Sequence, residues 1–282
     1  FMKFLITGSC GFIGFHLAKN LLEEEHDVLG IDNLNDYYEV ELKEKRLNQL
    51  KVFENFKFFK CDLTNTKSLN QIFENFKPST VINLAAQAGV RYSSINPNAY
   101  IDSNIFGFLN IINLCQKFNA KKLVYASSSS VYGSSKNVPY KEESTPNPIS
   151  LYGKTKLINE KISESLAIKN SYQSIGLRFF TVYGPYGRPD MAYFKFSKKI
   201  KEDSKIKIYN KGIMSRDMTY IDDIIQGIKL AVNTNNFIKR HEVFNLGNTK
   251  PIKTMDLLSI IENHYGKRAL IEYESSDIEV DI

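Results

Sequence analysis

Tyr152 and Lys156 stand in Tyr152-Gly-Lys-Thr-Lys156, and 24 residues before that tyrosine is Ser128, in the string Ala126-Ser-Ser-Ser-Ser-Val-Tyr-Gly133. A hydroxyl, a phenol and an ammonium could therefore converge on one substrate alcohol. On a helix the Tyr-x-x-x-Lys spacing puts both side chains on one face, one turn apart, where the lysine charge can stabilise a phenolate. The phenol needs that help: a free tyrosine titrates near ~10, and an efficient base has a pKa near the working pH. Closing the gap takes about 3 units, roughly 4 kcal/mol. Such a trio suits hydride chemistry on an alcohol carbon. Alone, the Tyr/Lys spacing is one that an ordinary exposed helix also shows, so its surroundings decide.

Those surroundings are apolar runs bounded by turn residues, over 3–7, 28–31, 56–60, 81–84, 123–127 and 174–178. They are short enough to be buried parallel strands. Between them helical patterns cover 11–24, about 40–50, about 67–76, about 97–118 and about 150–169. The alternation predicts an α/β fold: a doubly wound parallel sheet with helices on both faces. A turn-rich junction, Tyr183-Gly-Pro-Tyr-Gly-Arg-Pro189, then opens a region of shorter elements. The expected division is a dinucleotide-binding domain over 1–180, with parts of 212–247 returning to it, and a smaller lobe mainly over 181–282. A last core strand is expected over 241–245 and a helix over about 254–265.

The first strand runs into Gly8-Ser-Cys-Gly11-Phe12-Ile13-Gly14 and then a helix, the context that gives a glycine-rich turn meaning. Gly8 allows the tight turn, Gly11 a close approach to a pyrophosphate, and Gly14 close packing of helix on sheet; the helix N-terminus supplies donors and a positive dipole. Asp32 closes the second strand, 18 residues after Gly14, where an acid can bind ribose hydroxyls; it could instead cap a turn. Asn33 and Leu34 follow, with no arginine to receive a 2'-phosphate, so NAD is favoured over NADP. Two further strand ends, Cys61-Asp62-Leu63 and Leu84-Ala85-Ala86-Gln-Ala-Gly89, are expected on the pocket rim. Asp62 could reach an adenine amine or cap the next helix, and the small alanines let backbone lie against the pyrophosphate.

Composition closes off other classes. The chain has 282 residues, 43% hydrophobic and 24% charged, and its +6 charge is spread as scattered lysines. With no basic block, nucleic acid is not implied. Cys10, Cys61 and Cys115 are far apart and read as reduced and cytoplasmic; the four histidines lack metal-ligand spacing, so no metal is expected. No leader pattern and no apolar run near 18 residues is present, which argues against secretion or a membrane span. Phe1 precedes Met2, and the natural start is expected at Met2.

With these pieces in order the chain resembles the extended short-chain dehydrogenase/reductases, and within them the nucleotide-sugar epimerases. The subgroup it resembles is the UDP-glucuronate 4-epimerases, through Ile31-Asp-Asn-Leu-Asn-Asp-Tyr-Tyr38, Asn83-Leu-Ala-Ala-Gln-Ala-Gly-Val-Arg-Tyr-Ser93, the 126–133 string and Leu177-Arg-Phe-Phe-Thr-Val-Tyr-Gly-Pro-Tyr-Gly-Arg-Pro-Asp-Met191. The resemblance runs over nearly all 282 residues. It implies a Rossmann domain with tightly held NAD, a C-terminal lobe for a UDP-sugar, and a homodimer built on the 97–118 and 150–169 helices.

By resemblance Tyr152 is the base, Lys156 holds the nicotinamide ribose and tunes the phenol, and Ser128, between Ser127 and Ser129, bonds the sugar 4-hydroxyl. Sugar dehydratases and UDP-glucuronate decarboxylases carry acids where this chain has Ser129 or Ser130. Elimination needs such a further proton donor or acceptor, so epimerisation is favoured. In the implied reaction Tyr152 removes the 4-hydroxyl proton while the C4 hydride passes to NAD. The 4-keto sugar then turns over and takes the hydride on its other face.

Candidate carboxylate ligands are Thr181 and the Ser127, Ser128 and Ser129 hydroxyls. Arg188 could bind carboxylate or diphosphate, or sit on a surface turn; Arg91 is a weaker candidate that could be a structural ion-pair partner. Arg216, in Arg216-Asp217-Met-Thr-Tyr220-Ile-Asp222-Asp223, matches the arginine that grips the diphosphate, with the two aspartates expected to cap the next helix. Tyr209 matches an aromatic that stacks on uracil, or is a strand-face aromatic. The segment Glu272-Tyr-Glu-Ser-Ser-Asp277 stands near another family string, and the stop at Ile282 predicts that part of the nucleotide pocket is not in this chain. The alternatives are a 4-epimerase for UDP-glucose or UDP-N-acetylglucosamine, and a catalytically dead NAD-binding regulator; the latter usually loses the Tyr or the Lys.

Overall fold

The computed structural model describes residues 2–133, 135, 137–167, 172–235 and 239–274. The chain runs β1 (Lys3–Thr7), α1 (Phe12–Glu23), β2 (Asp27–Asp32), α2 (Val40–Leu50), β3 (Phe56–Lys60), α3 (Thr66–Phe76) and β4 (Thr80–Asn83). It continues with α4 (Tyr92–Ile95), α5 (Pro97–Tyr100), a π-helical turn (Ile101–Phe106), α6 (Gly107–Lys117), β5 (Lys122–Ser128) and α7 (Leu151–Ala167). Then come β6 (Gln173–Phe179), β7 (Thr181–Tyr183), α8 (Ala192–Lys201), β8 (Ile206–Tyr209), β9 (Ser215–Tyr220), α9 (Ile221–Asn233), β10 (His241–Leu246), β11 (Pro251–Lys253), α10 (Thr254–Tyr265) and β12 (Ile271–Glu274). The expected core strands form, as do the expected helices other than the one over 97–118, with ends shifted by one or two residues; the end of the helix expected to reach 169 lies outside the described residues.

Seven strands form one parallel sheet in the order β10-β6-β5-β4-β1-β2-β3. This is a Rossmann sheet, and the expected returning strand is β10, which joins β6 at one edge. Strands buried on both faces must be apolar throughout, and Phe4, Leu5, Ile6, Val81, Ile82, Leu123 and Val124 are all fully buried. One layer packs α1 and α9 on the sheet through Phe15, Leu17 and Ile228; the opposite layer packs α3 and α6 through Leu69, Phe73, Phe108 and Ile111. Each such side chain contributes on the order of 2 kcal/mol on burial. A separate small core of Phe196, Ile200, Ile206, Ile208, Leu258 and Ile261 holds α8, α10, β8 and β12 together.

The helix expected over 97–118 is not continuous. Its middle widens into the π-helical turn, where buried Asn104 accepts from the Gln87 amide (2.8 Å) and donates to the Gln87 carbonyl (3.1 Å) and the Thr155 hydroxyl (3.1 Å). These bonds to the 84–89 loop and to α7 satisfy a buried carboxamide, whose loss would cost about 1–3 kcal/mol. Asp222 and Asp223 also differ from expectation: the residue preceding α9 is Tyr220, with no side-chain cap, and the aspartates sit in the first turn, where their charge suits the helix dipole.

Candidate active site

The chain reverses between β1 and α1 through Gly8, at φ +71°, whose amide donates to the Ile31 carbonyl at 2.7 Å. A Cβ on Gly14 would stand 2.1 Å from the Gly8 carbonyl oxygen, so only glycine lets α1 start this close to the strand. The amides of the first turn of α1 have no side-chain cap, as an anion-binding helix terminus requires.

A cavity runs from this turn along the C-terminal strand ends. Its walls include Gly8, Gly11, Phe12, Ile13, Gly14, Asp32, Asn33, Asp62, Leu63, Leu84, Ala85 and Ala86 at one end, and Ser127, Ser128, Tyr152, Lys156 and Arg188 at the other. Such crevices lie where strand order reverses, here between β1 and β4. Asp32 accepts from the Cys10 and Leu34 amides at 3.0 and 2.9 Å. Burial pushes its carboxyl up, against those amides and the charges of Lys43 and Arg46. Asp62 accepts from Asn33 Nδ2 (2.7 Å) and from the amide and hydroxyl of Thr64, while the cap of α3 is Asn65.

At the other end Lys156 is buried and its Nζ donates to the Ala126 carbonyl at 2.9 Å, with the Tyr152 ring 5.9 Å away. Burial pulls the ammonium down to about 8. For Tyr152, burial pushes the phenol up, against the Ser128 hydroxyl and the Arg188 charge. The chain's own groups thus do not supply the lowering that the Tyr/Lys spacing predicts. The depressed Lys156 also sets a pH dependence. Its cost to folding is fully present below about 8 and is relieved as pH rises toward the unfolded value near ~10.4. Lys156→Met is therefore expected to raise the unfolding free energy measured by denaturant titration at neutral pH by on the order of 1 kcal/mol while losing turnover, the two stabilities converging above pH ~10; a constant offset across pH would contradict this.

Ser128 Oγ accepts from the Ser130 amide and bonds the Ser130 hydroxyl, both at 3.1 Å, while Ser127 donates its hydroxyl to Glu160 Oε1. The serine that β5 leaves for a ligand is thus Ser128. Five sequence candidates stand outside the cavity walls. Ser129 lies in the following 3-10 turn, and Thr181 opens β7 opposite Met218. Arg216 is on β9, with Nη1 donating to its neighbour's carbonyl at 3.1 Å. Arg91 and Tyr209 meet each other, the guanidinium 4.6 Å over the ring.

The walls also hold residues that spacing did not single out: Tyr37, Tyr38, Lys43, Ser103, Phe179, Phe180, Val182 and Met191. Lys43 is a cation beside Asp32 that the reading of Asn33 and Leu34 did not count; its Nζ donates to the Asn35 carbonyl and Oδ1 at 2.5 and 2.6 Å. Lys43 and Tyr38 carry no local pattern, since only the turn after β2 folds them back. Among the described residues no group of His, Cys, Asp and Glu could hold a metal. The three cysteines are free and buried.

The model of the NAD dependent epimerase/dehydratase family matches residues 4–247. The chain belongs to that family. It is 46% identical to CapI of Staphylococcus aureus over 96% of this chain and 86% of that one. To a UDP-glucuronate 4-epimerase of Thermodesulfobacterium geofontis it is 45% identical, covering 96% and 83%. The crystal structure of UDP-glucuronic acid 4-epimerase from Bacillus cereus, in complex with UDP-glucuronic acid and NAD, superposes with a TM-score of 0.92 at 35% identity, covering 98% of this chain and 87% of the other. NAD is the family's cofactor, and the residues here fit it: the glycine turn, the uncapped α1 terminus and the Asp32 carboxyl all line one cavity.

Proposed function

We propose that this member of the epimerase family converts UDP-glucuronate and UDP-galacturonate into one another by NAD-dependent 4-epimerisation. One observation carries the choice of reaction. The carboxylates on the described cavity wall, Asp32 and Asp62, are both at the glycine-turn end, and the end with Ser128, Tyr152, Lys156 and Arg188 has none. Oxidation and reduction at C4 need one proton-handling group; elimination or dehydration across the ring needs a second.

In this reading Ser128 Oγ orients the 4-hydroxyl, and Tyr152 takes its proton and later returns it. Lys156 holds the ribose hydroxyls of the nicotinamide half and keeps positive charge beneath the phenol. NAD, when bound, accepts the C4 hydride and gives it back to the other face of the sugar, so there is no net redox. Asp32 binds the adenosine ribose, the α1 terminus the pyrophosphate, and the Arg188 fork the uronate carboxylate or the diphosphate. Residues 181–274 then serve mainly the UDP-sugar, with Tyr209, Arg216, Arg91, Thr181 and Ser129 brought to it from outside the present walls.

We also infer a homodimer in the cytoplasm. Phe106 and Ile158 are exposed, 54% and 43%, on the packed π turn and α7, and three buried free thiols suit a reducing compartment. Among the described residues no helix is long and apolar enough to cross a membrane. The test is an NMR time course on UDP-glucuronate with purified protein and no added NAD, beside UDP-glucose and UDP-N-acetylglucosamine. UDP-galacturonate is expected to appear; turnover of the neutral sugars alone would overturn the substrate, and no turnover of any would favour a regulator. Light scattering on the same sample is expected to give twice the chain mass.

A further inference from the structure

Asp190 is off the cavity wall, yet it holds a residue that is on it. Arg188 Nε donates to Asp190 Oδ1 at 3.0 Å and Nη2 to Oδ2 at 2.5 Å, a two-pronged pair about one quarter exposed on each side. The Tyr37 hydroxyl, from the turn after β2, donates to Asp190 Oδ2 at 3.2 Å. The backbone just before Arg188 is also tied to the sheet domain, since buried Arg46 of α2 donates to the Tyr186 and Gly187 carbonyls at 2.6 and 3.3 Å. The fork consumes Nε and one Nη2 proton, and the Tyr37 hydroxyl bonds the guanidinium as well, so the donors offered to a ligand are the remaining N–H groups. Titratable groups facing the guanidinium are Tyr37, Tyr38, Tyr100, Tyr152, Tyr193 and Asp190. The tyrosines are pushed up by burial, which leaves Arg188 and Asp190 as the charges beside the guanidinium; the Tyr152 phenol also faces Lys156, its Nζ 5.9 Å from the ring and pulled down by burial to about 8, a charge that every Asp190 and Arg188 variant retains.

We propose that Asp190, steadied by Tyr37, is a positioning residue that clamps the Arg188 guanidinium within electrostatic reach of the Tyr152 phenol, with its remaining N–H donors offered to the substrate's anionic group. The inference rests on the epimerase reading. Its physical content is a sign. Removing an anion near a phenol makes the phenol more acidic, whereas releasing a clamped cation makes it less acidic.

The experiment measures kcat and KM for UDP-glucuronate from about pH 6 to 10 on NAD-loaded protein, and reads the acid limb of kcat. Asp190→Ala frees the guanidinium and is expected to move that limb up by about one unit, with an about tenfold loss of kcat at neutral pH. Asp190→Asn keeps an acceptor in place while removing the charge, and is expected to move the limb down instead. Arg188→Ala is expected to match Asp190→Ala, and Arg188→Ala/Asp190→Ala to lose no more than Arg188→Ala alone. A shift of Asp190→Ala and Asp190→Asn in the same direction, or additive losses in the double variant, overturns the clamp. Tyrosinate absorbance of each variant, taken against the same variant carrying Tyr152→Phe, reads the phenol without turnover. A protein inactive on UDP-glucuronate would thus sink the substrate reading and still test the clamp.

Discussion

Tyr152→Phe is expected to lower kcat by at least about a thousandfold while leaving bound NAD and the fold intact. The ring stays where it packs, edge-on to Tyr100 at 6.2 Å between centroids, and only the phenol oxygen is lost. In the proposed reaction that oxygen handles the proton, and it feels the Ser128 hydroxyl and the Arg188 charge. The loss should be in kcat and in kcat/KM together, since what is removed acts when the proton moves rather than when the sugar binds. Absorbance of co-purified NAD and steady-state rates on UDP-glucuronate measure the two halves; a variant with full activity refutes the mechanism.

The largest effect on stability is expected from Glu160→Ala. Glu160 and Arg178 form an ion pair with side chains 5% and 4% exposed, the guanidinium donating through Nε at 2.9 Å and Nη2 at 2.7 Å. Arg178 Nη1 also donates to the Tyr132 hydroxyl at 2.8 Å, Tyr132 donates to Asn245 Oδ1 at 2.6 Å, and the Ser127 hydroxyl is given to Glu160. The network thus ties α7 one turn beyond Lys156 to the end of β5 and to the sheet-edge strand β10. Deleting the carboxylate leaves a buried guanidinium without its charge partner, which costs about 3–5 kcal/mol. Replacing both residues by apolar ones of similar volume should recover most of it, because neither charge then has to be desolvated. Urea unfolding of the three variants measures this; a Glu160→Ala loss under about 1 kcal/mol would show that water reaches the pair.

How much of this was legible in the chain follows from the range of each interaction. Strands β1, β4 and β5 and helix α1 are apolar runs and periods set by neighbours in sequence, and they lie where those patterns put them. The glycine turn was legible for the same reason: Gly8 and Gly14 meet within one loop, and the collision that requires glycine is between residues six apart. Tyr152 and Lys156 share a face because one helical turn separates them. In contrast, the π turn at Ile101–Phe106 answers to Gln87 and Thr155, which only the folded chain brings beside Asn104. The sequence reading singles out Ser128 by resemblance and leaves Ser127 beside it as a further ligand candidate, whereas in the folded chain Glu160 takes the Ser127 hydroxyl. Arg91 and Tyr209, 118 positions apart, each read as a substrate ligand, and the tertiary structure stacks them on each other.

The sequence by itself determined the core strands, the glycine turn and the shared face of Tyr152 and Lys156, since each is built from contacts within a turn, a strand or a helix. The tertiary structure decided that Glu160 takes the Ser127 hydroxyl, that burial raises the Tyr152 phenol, and that Asp190 holds Arg188 with Tyr37 behind it. Burial and charge pairing depend on what lies across the cleft, and the Tyr37 to Asp190 contact joins residues 153 positions apart.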